Sequence, residues 1–214
     1  MNHYGLDPAW YFSAPGLSWD AGLKITKVQL ELLSDPDMLL IIESSIRGEI
    51  ATISHRHANA NNEYMGTEFD PAEGSKFISY LDANNIYGWA MSKQLPTSGF
   101  KWMTDNELDD WKHLSCFLEV DLEYPEDLHG LHNDYPLAPE CIKIRNVEKL
   151  IPNLNNKTNC VVHYENLKFY ESLGLKITKI HRGLKFEESA WLEKYINLNT
   201  KLRIEAKQSR NNLK

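Results

Sequence analysis

The sequence predicts an α+β fold, and three observations carry that prediction. "CFLEVDLEY" alternates: Cys116, Leu118, Val120 and Leu122 share one face, and Phe117, Glu119, Asp121 and Glu123 share the other. Trp191, Tyr195, Leu198 and Leu202 recur instead at helical spacing. Polar stretches rich in Pro, Asn, Asp and Gly separate such segments, so strands must meet across long separations in the chain. Apolar residues make up 42% and aromatics 11%, enough to bury a core.

The elements follow in order. "NHYGLDPAWYFSAPGLSWDAGLKIT" opens without preamble, and its aromatics (Tyr4, Trp10, Tyr11, Phe12, Trp19) call for a core, as in a domain entered midway. Asp35 and Pro36 read as an N-cap and first helical residue. That helix is expected through "DMLLIIESSIR" to a stop at Gly48. "GEIATISHRH" alternates and is expected to be a strand; "ANANNEYMGTEFDPAEGS" is a polar loop. "KFISYLD" is expected to be a strand of mixed apolar character, and "TDNELDDW" a surface helix that exposes Asp109 and Asp110. After the alternating strand, residues 125–159 read as an irregular excursion with one short strand near "CIKIR". "HYENLKFYESL" is a helix closed by Gly174, "KITKIHRGLKF" a strand, and Ser189 the expected cap of a last helix.

The longest apolar run, Met38 to Ile42, is five residues, against roughly 20 for a membrane span. "MNHYGLDPAW" lacks a basic start followed by an apolar core, so no secretory signal is expected there. Cys116, Cys141 and Cys160 are odd in number and widely spaced, which predicts neither a disulfide framework nor a cysteine zinc site and fits a reducing, intracellular setting. The net charge is −7 but uneven. From Lys168 to Lys214 eleven Lys and Arg face five Glu, a balance of +6, while the remainder carries −13. A basic C-terminal quarter can meet phosphates, although from charge alone a solvated helix face is the simpler explanation.

"YLDANNIYGWAM", Tyr80 to Met91, raises the chemical question. An apolar run ends in Asp82, and Asn84 and Asn85 then turn the chain. The plain reading is a strand that ends in a polar turn. The sharper one is a metal-binding carboxylate held at a strand tip. Nucleotidyl transfer uses two divalent ions roughly 3.5–4 Å apart, and magnesium needs only one or two protein carboxylates beside substrate phosphates. Glu119, Asp121 and Glu123 are read as a solvated strand face rather than a second ligand set. His129, His132 and Asp134, like His55 and His57, are weak metal candidates without an obvious further ligand.

"DANNIYGWAM" resembles the first catalytic palm motif of family B DNA polymerases, D-x-x-S-L-Y-P, in the Asn and Gly variant of the protein-primed branch of viruses and mobile elements. The resemblance extends in order along the chain. "YGLDPAWYFSAPGLSWDAGLKIT" resembles the segment after the exonuclease domain, and "DPDMLLIIESSIRGEIATISHRHANANN" a linker with a Y-x-G-G-type turn. "FLEVDLEYPEDLHGLHNDYPLAP" resembles a palm strand and the start of an insertion. "VVHYENLKFYESLGLKITKIHRGLKF" and "WLEKYINLNTKLRIEAK" resemble the approach to the fingers.

The resemblance implies a partial polymerase palm, a mixed or antiparallel sheet with packed helices, plus an insertion subdomain. Residues 1–75 would be post-exonuclease linker and the start of the palm, 76–124 palm strands with the motif, 125–160 the insertion and 161–214 palm-to-fingers helices. Asp82 would be the catalytic carboxylate and would ligate Mg²⁺, with the carbonyl of Ala83 completing the shell. Asn85, Tyr87 and Arg203 would bind the nucleotide, Tyr87 stacking under its sugar. Arg47 and Gly48 would contact the template strand. Partners would be primer and template DNA, deoxynucleoside triphosphates and a terminal protein primer. Glu49 stands where the family has a second small residue. The motifs K-x-x-x-N-S-x-Y/F-G and D-T-D do not occur in the sequence, and the exonuclease carboxylates would lie upstream of Met1. The expectation is therefore a polymerase fragment that incorporates no nucleotide alone. The rival is a non-catalytic nucleic-acid-binding remnant of a mobile element.

Overall fold

The alternation at 116–123 becomes strand β2, Cys116–Glu123, because its four inward side chains have nowhere better to go than a core. In this computed structural model, which describes residues 4–48 and 50–211, Cys116, Leu118, Val120 and Leu122 are buried. Each Val- or Leu-sized side chain removed from water contributes about 1.5–3 kcal/mol. Strand β5, Lys157–His163, pairs antiparallel with β2, placing Leu118 opposite Val162 and Val120 opposite Cys160. Strand β6, Lys176–Ser189, is the other neighbour of β2. Helices α2, Pro36–Ser45, and α6, Tyr164–Ser172, both pack on β2 and β5, and Ile41 and Leu167 are their buried contributions.

Apart from Lys185–Ser189 at the end of β6, these residues belong to one of two compact units, Pro36–Ala83 with Trp102–Leu184. Helix α6 ends as its sequence predicts. Gly174 has φ +101°, its N–H bonds Glu171 O at 3.0 Å, and the N–H of Leu175 bonds Tyr170 O at 3.1 Å. Helix α4, Asp105–Asp109, also forms where expected; Glu107 reaches back to the Thr104 N–H at 3.0 Å, and Asp109 and Asp110 are exposed. The excursion is more ordered than the sequence suggested. It holds α5, His129–His132, and a hairpin of β3, Glu140–Ile144, and β4, Val147–Ile151, where one strand was expected. Arg145 and Asn146 make its two-residue turn with φ 49° and 73°. The fully buried Lys157 ammonium pins the hairpin base, donating to Glu140 Oε2 at 3.0 Å and Asn153 O at 3.1 Å.

The other unit comprises Met1–Asp35, Asn84–Lys101 and Lys185–Lys214. It contains α1, Ala14–Thr26, which periodicity did not reveal although Ser13 caps it, accepting from Gly16 N at 3.3 Å. Helix α7, Glu193–Asn211, packs on α1, where a β-carbon on Gly22 would sit 3.4 Å from Leu192 Cδ1. Trp19 meets Trp191 edge-on at 6.2 Å, and Tyr4 packs on Tyr195. Trp10 and Phe12, expected in a core, are exposed. The unit also holds α3, Ile86–Met91, and most of β1, Leu95–Trp102, a neighbour of β6.

Several boundaries differ from expectation. Helix α2 stops at Ser45, ahead of Gly48. Ser189 ends β6 instead of capping α7: the strand continues because Glu187 is held by β1, its carbonyl accepting from Thr97 Oγ1 at 3.1 Å and its carboxylate from Ser98 Oγ. Neither "GEIATISHRH" nor "KFISYLD" forms a strand among the described residues. Alternation alone cannot hold a strand whose N–H and C=O groups find no neighbouring edge. Mixed helix and antiparallel sheet make this an α+β fold.

Candidate functional site

The motif begins on an open surface. A bridge between Asn61 and Lys76 (N–H to O 2.9 and 2.7 Å) fixes the entry, after which Phe77, Ile78, Tyr80 and Leu81 are all exposed. Asp82 and Ala83 are exposed too, and Asp82 makes no hydrogen bond or ion pair among the described residues. In place of the strand tip expected beneath this carboxylate there is an exposed segment that pairs with no strand. The division between the two units falls directly after Ala83.

Asn84 and Asn85 turn the chain into α3. Asn85 takes φ 58°, ψ 37°, a left-handed conformation that Asn tolerates better than most residues. Its carbonyl accepts the first helical bond, from Trp89 N at 2.9 Å, and its side chain makes no capping bond. Gly88 is buried, whereas Tyr87 is 64% exposed.

A cavity of about 580 Å³ lies within the same unit, between α3 and α7. Asn84, Asn85 and Tyr87 line one wall; Asn199, Arg203 and Lys207 line the other. The spacing of four on α7 puts those three side chains in one row. Asn199 is fixed by donating to Tyr195 O at 2.8 Å and accepting from Tyr4 Oη. Neither Arg203 nor Lys207 has a carboxylate partner among the described residues. An aromatic ring, carboxamides and two free cations suit an anionic ligand with a flat or sugar-like portion. Asn85, Tyr87 and Arg203 are thus brought together, across more than a hundred residues of chain. Lys207 and Asn199 were not expected here; the signal was their spacing from Arg203. On the same helix Lys201 pairs with Glu205 at 4.0 Å.

In the other unit Arg47 is engaged by its own chain. Its guanidinium donates to Ser44 O at 2.6 Å and Val161 O at 2.8 Å, and lies 3.4 Å from Cys160 Sγ. Gly48 is exposed, with open space around a would-be β-carbon, and Glu49 lies outside the described residues. The acids of β2 are spent on β6: Glu119 with Arg182 Nε at 2.5 Å, Asp121 with His181 Nε2 at 2.9 Å, Glu123 with Lys176 Nζ at 2.9 Å. His55 faces Asp134 at 3.1 Å, and His132 Nδ1 is 2.9 Å from Tyr124 Oη. Among the described residues no three His, Cys, Asp or Glu side chains converge as a metal site. The Asp82 carboxylate and Ala83 carbonyl are hard oxygen donors of the kind magnesium prefers, but they do not make a two-ion site by themselves. Cys116, Cys141 and Cys160 are free, and burial pushes the Cys116 thiol up to about 12. No helix of the described residues is long and apolar enough to cross a membrane.

Comparison with known proteins agrees with the motif. The profile of the family described as DNA polymerase type B, organellar and viral, matches residues 58–214. Comparison with curated proteins finds no match, and neither does comparison with solved structures. The matched region covers most of the chain and includes Asp82, both walls of the cavity and the whole of α7, so the chain belongs to the organellar and viral family of type B DNA polymerases.

Proposed function

We propose that this chain carries the nucleotide-binding part of a protein-primed DNA polymerase. The supporting observation is the α3–α7 cavity that gathers Asn85, Tyr87, Arg203 and Lys207. In this reading the cations of α7 meet the triphosphate of a deoxynucleoside triphosphate, and the Tyr87 ring lies against its sugar. The primer 3′-hydroxyl attacks the α-phosphorus and pyrophosphate leaves. Asp82 and the Ala83 carbonyl would hold Mg²⁺, which would supply charge neutralisation at the phosphates. Arg47 is tied to Ser44 and to β5, and it and the adjoining Gly48 face the template strand. The segments 1–75, 76–124, 125–160 and 161–214 keep the linker, palm, insertion and fingers-approach roles, and a terminal protein supplies the priming hydroxyl. Because two-ion chemistry needs a carboxylate beyond Asp82, this chain alone binds nucleotide without incorporating it.

Equilibrium titration of a fluorescent deoxynucleoside triphosphate with magnesium tests the reading. Loss of a charge-assisted contact costs about 1.5–3 kcal/mol, so Arg203→Ala is expected to weaken binding about tenfold or more. Unchanged affinity in both Arg203→Ala and Tyr87→Ala would remove the cavity from the nucleotide site. Template-dependent primer extension that disappears in Asp82→Ala would instead show that the chain is active by itself.

A further inference from the structure

We infer that Gly88 is a positioning residue that acts through Asn85, leaving the Asn85 carboxamide free to read the ligand of the α3–α7 cavity. A β-carbon built on Gly88 would lie 2.5 Å from Asn85 Nδ2, 2.6 Å from Oδ1 and 2.8 Å from Cγ. Real β-carbons do not come so close, so any larger residue at 88 must push the Asn85 side chain out of its place. Alanine is the better helix former, and Gly88 has no positive φ to require glycine. What glycine provides at this buried position is room for the carboxamide folded over it.

The backbone of Asn85 contributes the other half. Its left-handed conformation starts α3, and its side chain forms no capping bond to the helix. The carboxamide therefore keeps a donor and an acceptor for the cavity it lines. Arg203 and Lys207 already supply cations there, so the carboxamide suits a neutral hydroxyl or amide-like group of a nucleoside rather than a phosphate. Of the three departures of this chain from D-x-x-S-L-Y-P, at 85, 86 and 88, two fall on these residues, and the third, Ile86, replaces Leu by an apolar residue of the same size.

The ligand in this inference rests on the nucleotide reading; the packing does not. Four forms of the full chain separate them: unsubstituted, Gly88→Ala, Asn85→Gly, and both together. Urea unfolding midpoints and binding of the magnesium–dATP complex are measured on each. Gly88→Ala is expected to raise the midpoint more in the Asn85→Gly background than in the unsubstituted chain, where it must displace the carboxamide. It is expected to weaken dATP binding about tenfold in the unsubstituted chain, the scale of a lost hydrogen-bonding group, and to add nothing to Asn85→Gly. Equal midpoint shifts in both backgrounds overturn the inference whatever the binding shows. Unequal shifts with unchanged dATP affinity overturn the reading role of Asn85. Unequal shifts in a chain that binds no dATP in any form support the positioning of Asn85 by Gly88 and reject the nucleotide reading.

Discussion

Asn61 does for a loop what a strand partner does for a sheet. Its Nδ2 donates to Asp70 O at 2.9 Å and its Oδ1 accepts from Asp70 N at 2.9 Å, while its backbone exchanges both bonds with Lys76. The residue is buried, so the groups it satisfies have little access to water. Replacing Asn61 by alanine is expected to lower stability by about 1–3 kcal/mol, the cost of stranding buried polar groups. Urea denaturation of Asn61→Ala checks this; a loss of a few tenths would mean that water replaces the carboxamide. Nothing in "ANANNEYMGTEFDPAEGS" separates Asn61 from its neighbouring asparagines, because the role depends on partners nine and fifteen residues away.

At the scale of elements, β2 and β5 show how an irregularity is absorbed. Pairing steps from Val120–Cys160 to Leu122–Lys157, so Thr158 and Asn159 oppose the single residue Asp121. Asn159 takes φ 49° in this bulge, and its displaced N–H donates to Asp121 Oδ1 at 2.8 Å. That bond, and then the bond with His181, hold the Asp121 carboxyl below its ordinary range. A carboxylate with a lowered pKa in the folded state favours folding fully above its unfolded value, near 3.9, and loses that contribution as pH falls through the folded value. Stability is therefore expected to drop below about pH 4 and to drop less steeply in Asp121→Asn, as followed by thermal unfolding across pH. The end of α6 gives a second test. Gly174 has φ +101°, and a β-carbon there would sit 2.8 Å from Leu128 Cδ1. Gly174→Ala is expected to cost about 1–3 kcal/mol through strain and displacement of Leu128, measured by the urea midpoint. Indifference to this change would mean that the helix ends without its left-handed residue.

For the whole molecule, the uneven charge decides what a nucleic acid meets. The body carries −13 and the segment from Lys168 onward +6. Lys194, Lys201 and Lys207 are exposed on α7. Single-stranded DNA is expected to bind here weakly, with log K falling by about 0.7 per phosphate neutralised for each tenfold rise in salt. Changing all three lysines to glutamine should flatten that slope by about 2, read by anisotropy titrations at several salt concentrations. An unchanged slope would place the contact elsewhere. Binding without any nucleotide affinity would favour the binding remnant over the polymerase reading.

Residues close in the chain determined much of this protein by themselves. The period of two in β2, the glycine stop of α6, the capping of α4 and the turn at Asn84 and Asn85 are local, because φ/ψ preference and side-chain period act over a few residues. Family membership was legible in the same way, from words such as "DANNIYGWAM" in order. Only the tertiary structure decided what depends on distant partners. "GEIATISHRH" alternates like a strand and "KFISYLD" is apolar enough for one, yet neither forms a strand, "KFISYLD" pairing only through the Lys76 bridge to Asn61, since a strand is made by its neighbour's hydrogen bonds as much as by its own pattern. "VEKLI", without any such alternation, becomes a strand because "CIKI" folds back on it. Arg203 and Tyr87 share a cavity because α7 packs beside α3, and no spacing along the chain encodes that packing.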